Sequence, residues 1–536
     1  MIDKLRRFLK QTFEAMKTRY LTGTMIPGFI VLILCLTRCN VSPGPGKKGN
    51  NVDSLLLARG EVLFAQHCQT CHLLPVPAHL PKEIWHSSVL PLMAIRMGLN
   101  TSEYQRTISA EERAIEEKNN LISKTPLLSL EDYELIQKYI EFNAPDTLAY
   151  ATERLYRNQP ITQFIRRNIP VDASNPSTIT ALKFNVATNI LWIGNLYNQV
   201  IQWQWGKGVI ATDNTASPVV DFTFYNNTYF TEIGSLLPSE LSSGSFSLKS
   251  ANLQEPVLQN LHRPVCTLMD DFDKDNIAEI IVGNFGKNLG SLSLYKKNKK
   301  DNTYDEYPLL TMPGATKCYL KDMDNDGRKD VVALFAQADE SVYIFFQKDS
   351  MHFEPKKVLR FPPDYGTTDM VLVDYNKDGL TDIITANGDN ADYSIVLKKY
   401  HGIRIHINAG NNTFKESFFY PVYGATKVLA EDFDKDGDID LAINAFYPDF
   451  GELLRESFVY LQNDNSKQYS FTSFTQKNGV PVKSLALEKA DIDGDGDMDI
   501  ILGNFSESPI EVPEYVKQKW KEAQYGLIIF ENQLYH

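Results

Sequence analysis

One nine-residue acidic pattern recurs five times in the second half of this chain, and no other feature limits the fold so tightly. The copies begin at Asp271, Asp322, Asp374, Asp432 and Asp491, spaced 51, 52, 58 and 59 residues apart. The first reads Asp271-Phe-Asp-Lys-Asp-Asn-Ile-Ala-Glu279 and the last Asp491-Ile-Asp-Gly-Asp-Gly-Asp-Met-Asp499. A fixed period near 50 residues means a repeat architecture, in which each unit buries its faces against its neighbours.

Oxygen-bearing side chains at positions 1, 3 and 5 meet at one point only if the chain curls tightly. Position 6 is accordingly Gly in four copies and Asn276 in the first, both tolerant of the left-handed conformation. A carboxylate at position 9 completes the set, with the position-7 carbonyl as a further donor. The candidate ligands are Asp271, Asp273, Asp275 and Glu279; Asp322, Asp324, Asp326 and Asp330; Asp374, Asn376, Asp378 and Asp382; Asp432, Asp434, Asp436 and Asp440; and Asp491, Asp493, Asp495 and Asp499. Hard oxygens on a flexible loop select Ca²⁺ over transition metals, so up to five Ca²⁺ are expected. An EF-hand is excluded, because it needs flanking helices and Glu at position 12. Here position 9 runs directly into apolar strands such as Ile280-Ile-Val282 and Ile500-Ile-Leu502.

These loops are similar to those of FG-GAP (VCBS-type) repeats, as in the integrin α-subunit propeller. The family's Phe-Gly shows in Asn284-Phe-Gly286, and the resemblance covers residues 160–536. It implies one four-stranded propeller blade per repeat, with calcium between the first and second strands. Third strands recur at Ser291–Tyr295, Ser341–Phe346, Ile403–Ile407, Phe458–Leu461 and Gly526–Phe530, and fourth strands follow, as at Tyr307–Met312 and Ser417–Val422. Two blades without acidic loops fit between residues 177 and 262, with first-and-second strand pairs Thr180–Phe184 with Ile190–Ile193 and Val219–Phe224 with Tyr229–Ile233. The total is seven. The last blade ends after its third strand at Asn532, and Gln163–Ile169 can supply the missing fourth, closing the ring and removing open sheet edges.

Ahead of the repeats stands Cys68-Gln-Thr-Cys71-His72, the spacing of c-type haem attachment: two thiols for the vinyl groups and an adjacent imidazole as proximal ligand. A thioredoxin-like pair would need a βαβ context, and a zinc knuckle a second Cys/His pair; neither is present. An amphipathic helix over Ser54–Gln66 enters the motif, and the capping box Ser129-Leu-Glu-Asp132 opens a second helix over Tyr133–Phe142, with Pro145 beyond it. Residues 54–146 thus resemble a class I cytochrome c domain. The resemblance implies haem c and a methionine as second axial ligand. Met93, in a Leu-Pro-Leu-Met turn, is the choice, with Met97 and His86 as alternatives; Thr101–Lys124 reads as a charged insertion.

The first 24 residues are basic, and Met25–Leu36 is an apolar run of twelve residues, too short to cross a bilayer core of roughly 30 Å. This is an export signal. With Leu36-Thr-Arg-Cys39, it resembles a bacterial lipoprotein signal, implying cleavage after residue 38, lipidation at Cys39 and a polar linker over 39–53. The expected location is the periplasmic or cell-surface side, anchored to a bacterial membrane by lipid.

A net charge of −13 excludes a non-specific nucleic-acid binder. Nineteen of the 67 acidic side chains stand at the ligand positions, so the acidity is largely that of the loops. The other end of the ring gathers Arg263, Lys317, Lys427 and Lys483 at first-strand starts, and Asn195, Asn284, Asn387, Asn444 and Asn504 at second-strand ends. That face is a candidate site for a glycan, a small polar ligand or a partner protein, against the plainer reading of solvated lysines and strand-end caps. Cys266 and Cys318 lie at equivalent depth on neighbouring first strands, either as buried thiols or as a disulfide. The expected fold is mainly β, a seven-bladed propeller with a small N-terminal all-α cytochrome c domain. The expected function is electron transfer to a redox partner protein docked by the propeller. Alternatives are a haem-coupled oxidoreductase acting on a sugar, alcohol or aldehyde, and a calcium-dependent adhesion or glycan-binding protein.

Overall fold

Seven sheets follow one another from Ile179 to Asn532, each built of antiparallel strands in chain order. This computed structural model describes residues 51–534, apart from 100, 151–158, 173–176, 251–253, 391–394, 477–480, 509–510 and 524. The chain divides into a leading unit, Met1–Arg59, and a second, Gly60–His536. Of the first, only the opening residues of the helix Asn51–Cys68 are described. The signal segment, Cys39 and most of the linker therefore lie outside the described residues.

The blades run Ile179–Asn214, Val219–Leu261, Pro264–Leu310, Ala315–Arg360, Thr367–Pro421, Ala425–Thr475 and Ser484–Asn532. The seventh has three strands of its own. Phe164–Ile169 pairs antiparallel with Leu527–Asn532, setting Phe164 opposite Asn532 and Ile169 opposite Leu527, which closes the ring. A two-residue strand, Gln159–Pro160, also joins the edge of blade six in parallel, which nothing in the sequence signalled.

The second strands explain why the units stack. Glu279–Asn284, Asp330–Phe335, Asp382–Asn387, Asp440–Ala445 and Asp499–Asn504 are buried at every residue, because both faces of each strand meet an adjacent blade. Position 2 of each acidic loop adds an apolar knob, Phe272, Met323, Tyr375, Phe433 or Ile492, all buried. Each knob enters the apolar cluster formed with the next blade. Phe272, for example, meets Phe353 of blade four edge-on with ring centroids 5.4 Å apart. The loops thus lock neighbouring blades as well as displaying carboxylates.

Before the ring comes a helical segment: Asn51–Cys68, Leu90–Arg96, Thr101–Thr107, Ala110–Lys118 and Leu130–Asn143. Phe64, Trp85, Tyr133, Ile136 and Ile140 form its core. Ser129 Oγ accepts the Asp132 N–H at 3.1 Å, as the capping box requires. The helices Asn51–Cys68 and Leu130–Asn143 cross at backbone distance: a Cβ on Gly60 would stand 2.4 Å from the Leu135 carbonyl oxygen. Two expectations change. Met93 lies on a helix rather than in a turn: Leu90–Arg96 continues directly from a π-helical turn, Trp85–Val89, where the Leu90 N–H reaches the Trp85 carbonyl and the widened turn accommodates Pro91. Within Thr101–Lys124 there are two helices, the second capped by Ser109 accepting from the Glu112 N–H at 3.1 Å.

Candidate metal centres and a helical cap

Each acidic loop is shaped by its own backbone. In the first three loops the position-1 carboxylate accepts N–H groups from positions 5 and 6: Asp322 takes those of Asp326 at 3.2 Å and Gly327 at 2.9 Å, and Asp374 those of Asp378 at 3.0 Å and Gly379 at 2.9 Å, whereas Asp491 takes those of Gly494 and Gly496 at 2.8 and 3.1 Å. The position-5 carboxylate accepts the N–H of position 7, as Asp378 does from Leu380 at 2.8 Å. Positions 4 and 6 both take positive φ, 59° and 86° at Lys377 and Gly379. The sequence revealed only the position-6 requirement, because Lys and Asn at position 4 carry no glycine signature.

Position 9 is the buried anchor. Asp330, Asp382, Asp440 and Asp499 are fully buried and Glu279 nearly so. In the four aspartates one oxygen accepts the N–H of position 2, and the other the N–H of Gln347, Asn408, Asn463 or Asn532 on the third strand, all between 2.8 and 3.1 Å. Burial pushes these carboxyls up, Asp440 and Asp499 to about 7. Glu279 is likewise pushed up to about 7 by burial.

In four loops three carboxylates come within 4.8 Å of one another: Asp271, Asp273 and Glu279; Asp322, Asp324 and Asp330; Asp432, Asp434 and Asp436; and Asp491, Asp493 and Asp499. In the remaining loop Asn376 replaces the position-3 Asp, and its amide donates to Asp378 at 2.9 Å. An all-oxygen set on a curled loop fits Ca²⁺. In the Asp432 loop the buried Oδ1 of Asp432 makes no hydrogen bond, which is the condition a cation would relieve.

The segment Cys68-Gln-Thr-Cys71-His72 begins on the last residue of the helix Asn51–Cys68. Cys68 is partly buried against the helical core and Cys71 is exposed; both are free thiols. Burial, then the neighbouring Cys71, pushes the Cys68 thiol up to about 12. The partly buried His72 has Nδ1 2.7 Å from the Leu73 carbonyl oxygen, an arrangement that fixes the ring and leaves Nε2 for a metal. These residues fit a covalently held haem. Of the methionine alternatives, Met97 is buried in the helical core and Met93 is half-buried.

The mouth opposite the acidic loops is not the open basic face that the sequence suggested. Arg263 is buried, donating to the carbonyls of Ser235, Leu236 and Gly286 with its guanidinium over Phe285. Lys483 is wholly buried 4.0 Å from the Phe446 ring centre and donates to the Glu507 carbonyl. Asn195, Asn284, Asn387, Asn444 and Asn504 are buried too, each donating within its own blade or to the next, as Asn444 does to the Ser484 carbonyl at 2.7 Å. Only Lys317 and Lys427 stay together. They flank Asp369 at 4.0 and 3.8 Å, and with Asp221 and Glu488 they set opposite charges around the inner strands. The reason is general: a strand-end amide with a buried carbonyl in reach is worth more paired than solvated. Cys266 and Cys318 are free, buried thiols with sulfurs 2.7 Å apart.

The helical segment lies across this face. Its contacts fall on the loops joining second to third strands and blade to blade, at the strand ends away from the acidic loops. Glu112 Oε1 accepts from Ser239 Oγ at 3.1 Å and the Glu240 N–H at 3.2 Å, on blade two. The buried Glu116 accepts from Tyr104 Oη at 2.7 Å and stands 3.6 Å from Lys287 Nζ of blade three. Between blades four and five, His79 Nδ1 lies 2.7 Å from Asp364 Oδ2, and its ring meets Tyr400 at 4.7 Å. Tyr400 Oη also donates to the His79 carbonyl at 3.0 Å, and Val396 of blade five packs against the core that holds Cys68. None of these residues was singled out in the sequence, since single polar residues in a charged stretch carry no periodic signal.

Residues 322–385, which hold the second and third acidic loops and the strands between them, match the FG-GAP-like repeat family. No curated protein sequence matches the chain. Solved structures with a similar course include Sqt1 of Saccharomyces cerevisiae, 8% identical with a TM-score of 0.42, over 70% of this chain and 100% of that one. The Pan2 WD40 domain of Neurospora crassa is 12% identical with a TM-score of 0.41, over 65% and 94%. Scores so low convey no shared activity. What is established is a seven-bladed β-propeller with an FG-GAP-like match over residues 322–385, an architecture suited to docking or binding.

Proposed function

We propose that this chain is an exported c-type cytochrome whose calcium-binding propeller is the rigid mount for its redox unit and the docking surface for a redox partner protein. The observation that carries this reading is the placement of the Cys68-x-x-Cys71-His72 segment. It belongs to a helical cap fixed to blades two, three and five by partly buried polar contacts. Haem bound there would supply one-electron chemistry between Fe(III) and Fe(II). Cys68 and Cys71 would hold its vinyl carbons, His72 would ligate through Nε2, and Met93 would be the sixth ligand, with Met97 as the alternative. Lipidation at Cys39 would keep the protein on the outer side of a bacterial membrane.

The oxidoreductase alternative places its substrate at the propeller mouth, and the helical cap stands over that face, so we rank it second. The adhesion alternative requires glycan binding that chelation abolishes. The test is a visible spectrum of the full chain matured in cells with haem-attachment machinery. A reduced α-band of c-type haem, retained on denaturation and lost in Cys68→Ala/Cys71→Ala, is expected. A colourless wild-type protein would overturn both haem readings.

A further inference from the structure

Within the calcium reading, we infer that the first acidic loop, Asp271–Glu279, takes no Ca²⁺ because the ammonium of Lys296 occupies its cation position. Lys296 Nζ pairs with Asp273 and lies 3.8 Å from Asp275 and 3.6 Å from Glu279, while Lys299 Nζ meets Asp275 at 3.0 Å. In the loops beginning at Asp322, Asp374 and Asp432 no ammonium among the described residues reaches three of the ligand carboxylates; Lys348 Nζ, for example, meets Asp324 alone, at 3.6 Å.

The register explains the difference. Ile280 pairs with Tyr295, Val331 with Phe345, Ile383 with His406, Leu441 with Leu461 and Ile500 with Phe530. One step further, position 9 faces Lys296 in blade three, but Phe346, Ile407, Gln462 and Glu531 in the others. The anchor departs in the same blade. Position 9 is Glu, and its Oε1 turns toward Lys296 in place of the third-strand N–H that each aspartate holds. The third strand there continues in Lys297, where the other blades have Gln347, Asn408, Asn463 and Asn532. The ammonium is tethered to the blade, so it stays at the carboxylates whatever the Ca²⁺ concentration, and Ca²⁺ must displace it to bind. Loops of extracellular modules bind Ca²⁺ at only about 10⁻⁴–10⁻³ M, an affinity that leaves little to offset that displacement. Asp273 Oδ1 makes no hydrogen bond, so removing the lysine would free a carboxylate set able to ligate.

The experiment counts Ca²⁺ bound to the purified full chain by native mass spectrometry and calorimetry after chelation. Asp271→Asn should leave the number unchanged, whereas Asp322→Asn should lower it by one, and Lys296→Met should raise it by one. Amine labelling supplies a second measure: Lys296 should react equally with and without Ca²⁺. A loss of one ion in Asp271→Asn, or Lys296 labelling that rises on adding Ca²⁺, would overturn the inference while leaving the calcium reading intact. No Ca²⁺ bound to any loop would remove the calcium reading and this inference with it.

Discussion

Asn532, at the end of the last strand, donates from Nδ2 to the carbonyl of Phe433, 2.8 Å away in the acidic loop of the preceding blade. The same tie recurs around the ring. Gln347 reaches the Phe272 carbonyl at 3.1 Å, Asn412 the Met323 carbonyl at 2.8 Å, and Asn463 the Tyr375 hydroxyl at 3.2 Å. In each case a third-strand or adjoining amide of one blade grips position 2 of the loop before it.

Truncating such an amide leaves a buried carbonyl unpaired, which costs about 1–3 kcal/mol. Asn532→Ala is expected to lose that much in denaturant unfolding, because it removes the Nδ2 donor to the Phe433 carbonyl and to the Met498 carbonyl, 3.2 Å away, on the strand that closes the ring. An unchanged midpoint would show that the tie is incidental.

The knob beside it should matter more. Phe433 is buried in the cluster that joins blades six and seven, and Phe433→Ala should cost about 3–5 kcal/mol. The exposed Val186, on a turn of blade one, is the control, and Val186→Ala should fall within about 0.5 kcal/mol of wild type. Equal effects in thermal melts would contradict the claim that the loops are packing elements.

The pH dependence of metal stabilisation follows from position 9. Burial raises the Asp440 and Asp499 carboxyls to about 7 in the metal-free fold, and a proton there must leave for the oxygen to ligate. Ca²⁺ affinity should therefore rise as pH rises through about 7. The Tm difference between protein in Ca²⁺ and in chelator should be larger at pH 8 than at pH 5.5. Taking that difference cancels the groups that metal does not touch, such as His406, which burial lowers to about 3. A difference that is flat with pH would argue against ligation by position 9.

The helical cap gives a local test. Glu116→Gln weakens the hold on Lys287 and Tyr104, and Glu112→Ala removes two acceptor contacts to blade two. Burial disfavours the Glu112 charge, but the bonds from Glu240 and Ser239 hold its carboxyl below the usual value. Together the changes should speed hydrogen exchange over the helices Thr101–Thr107 and Ala110–Lys118 about tenfold or more, as expected for some 1–3 kcal/mol of local stability, with the blades unaffected. Exchange that stays slow would mean that other contacts fix the cap.

The division between sequence and tertiary structure runs along interaction range. The five loops, the strand order, the number of blades and closure by the segment ending at Ile169 were readable because each rests on local periodicity: glycine where the chain must turn left-handed, apolar runs where a strand is buried on both faces, and a missing fourth strand that only one segment could fill. The Cys68-x-x-Cys71-His72 spacing was visible for the same reason. What depended on distant partners was hidden. Arg263, Lys483 and the strand-end asparagines look solvated until neighbouring carbonyls and aromatic rings surround them. Lys296 looks like any surface lysine until the register sets it against Glu279. Glu112 and Glu116 read as part of a charged insertion until folding sets them against blades two and three, where desolvation gives their hydrogen bonds weight that they lack in water.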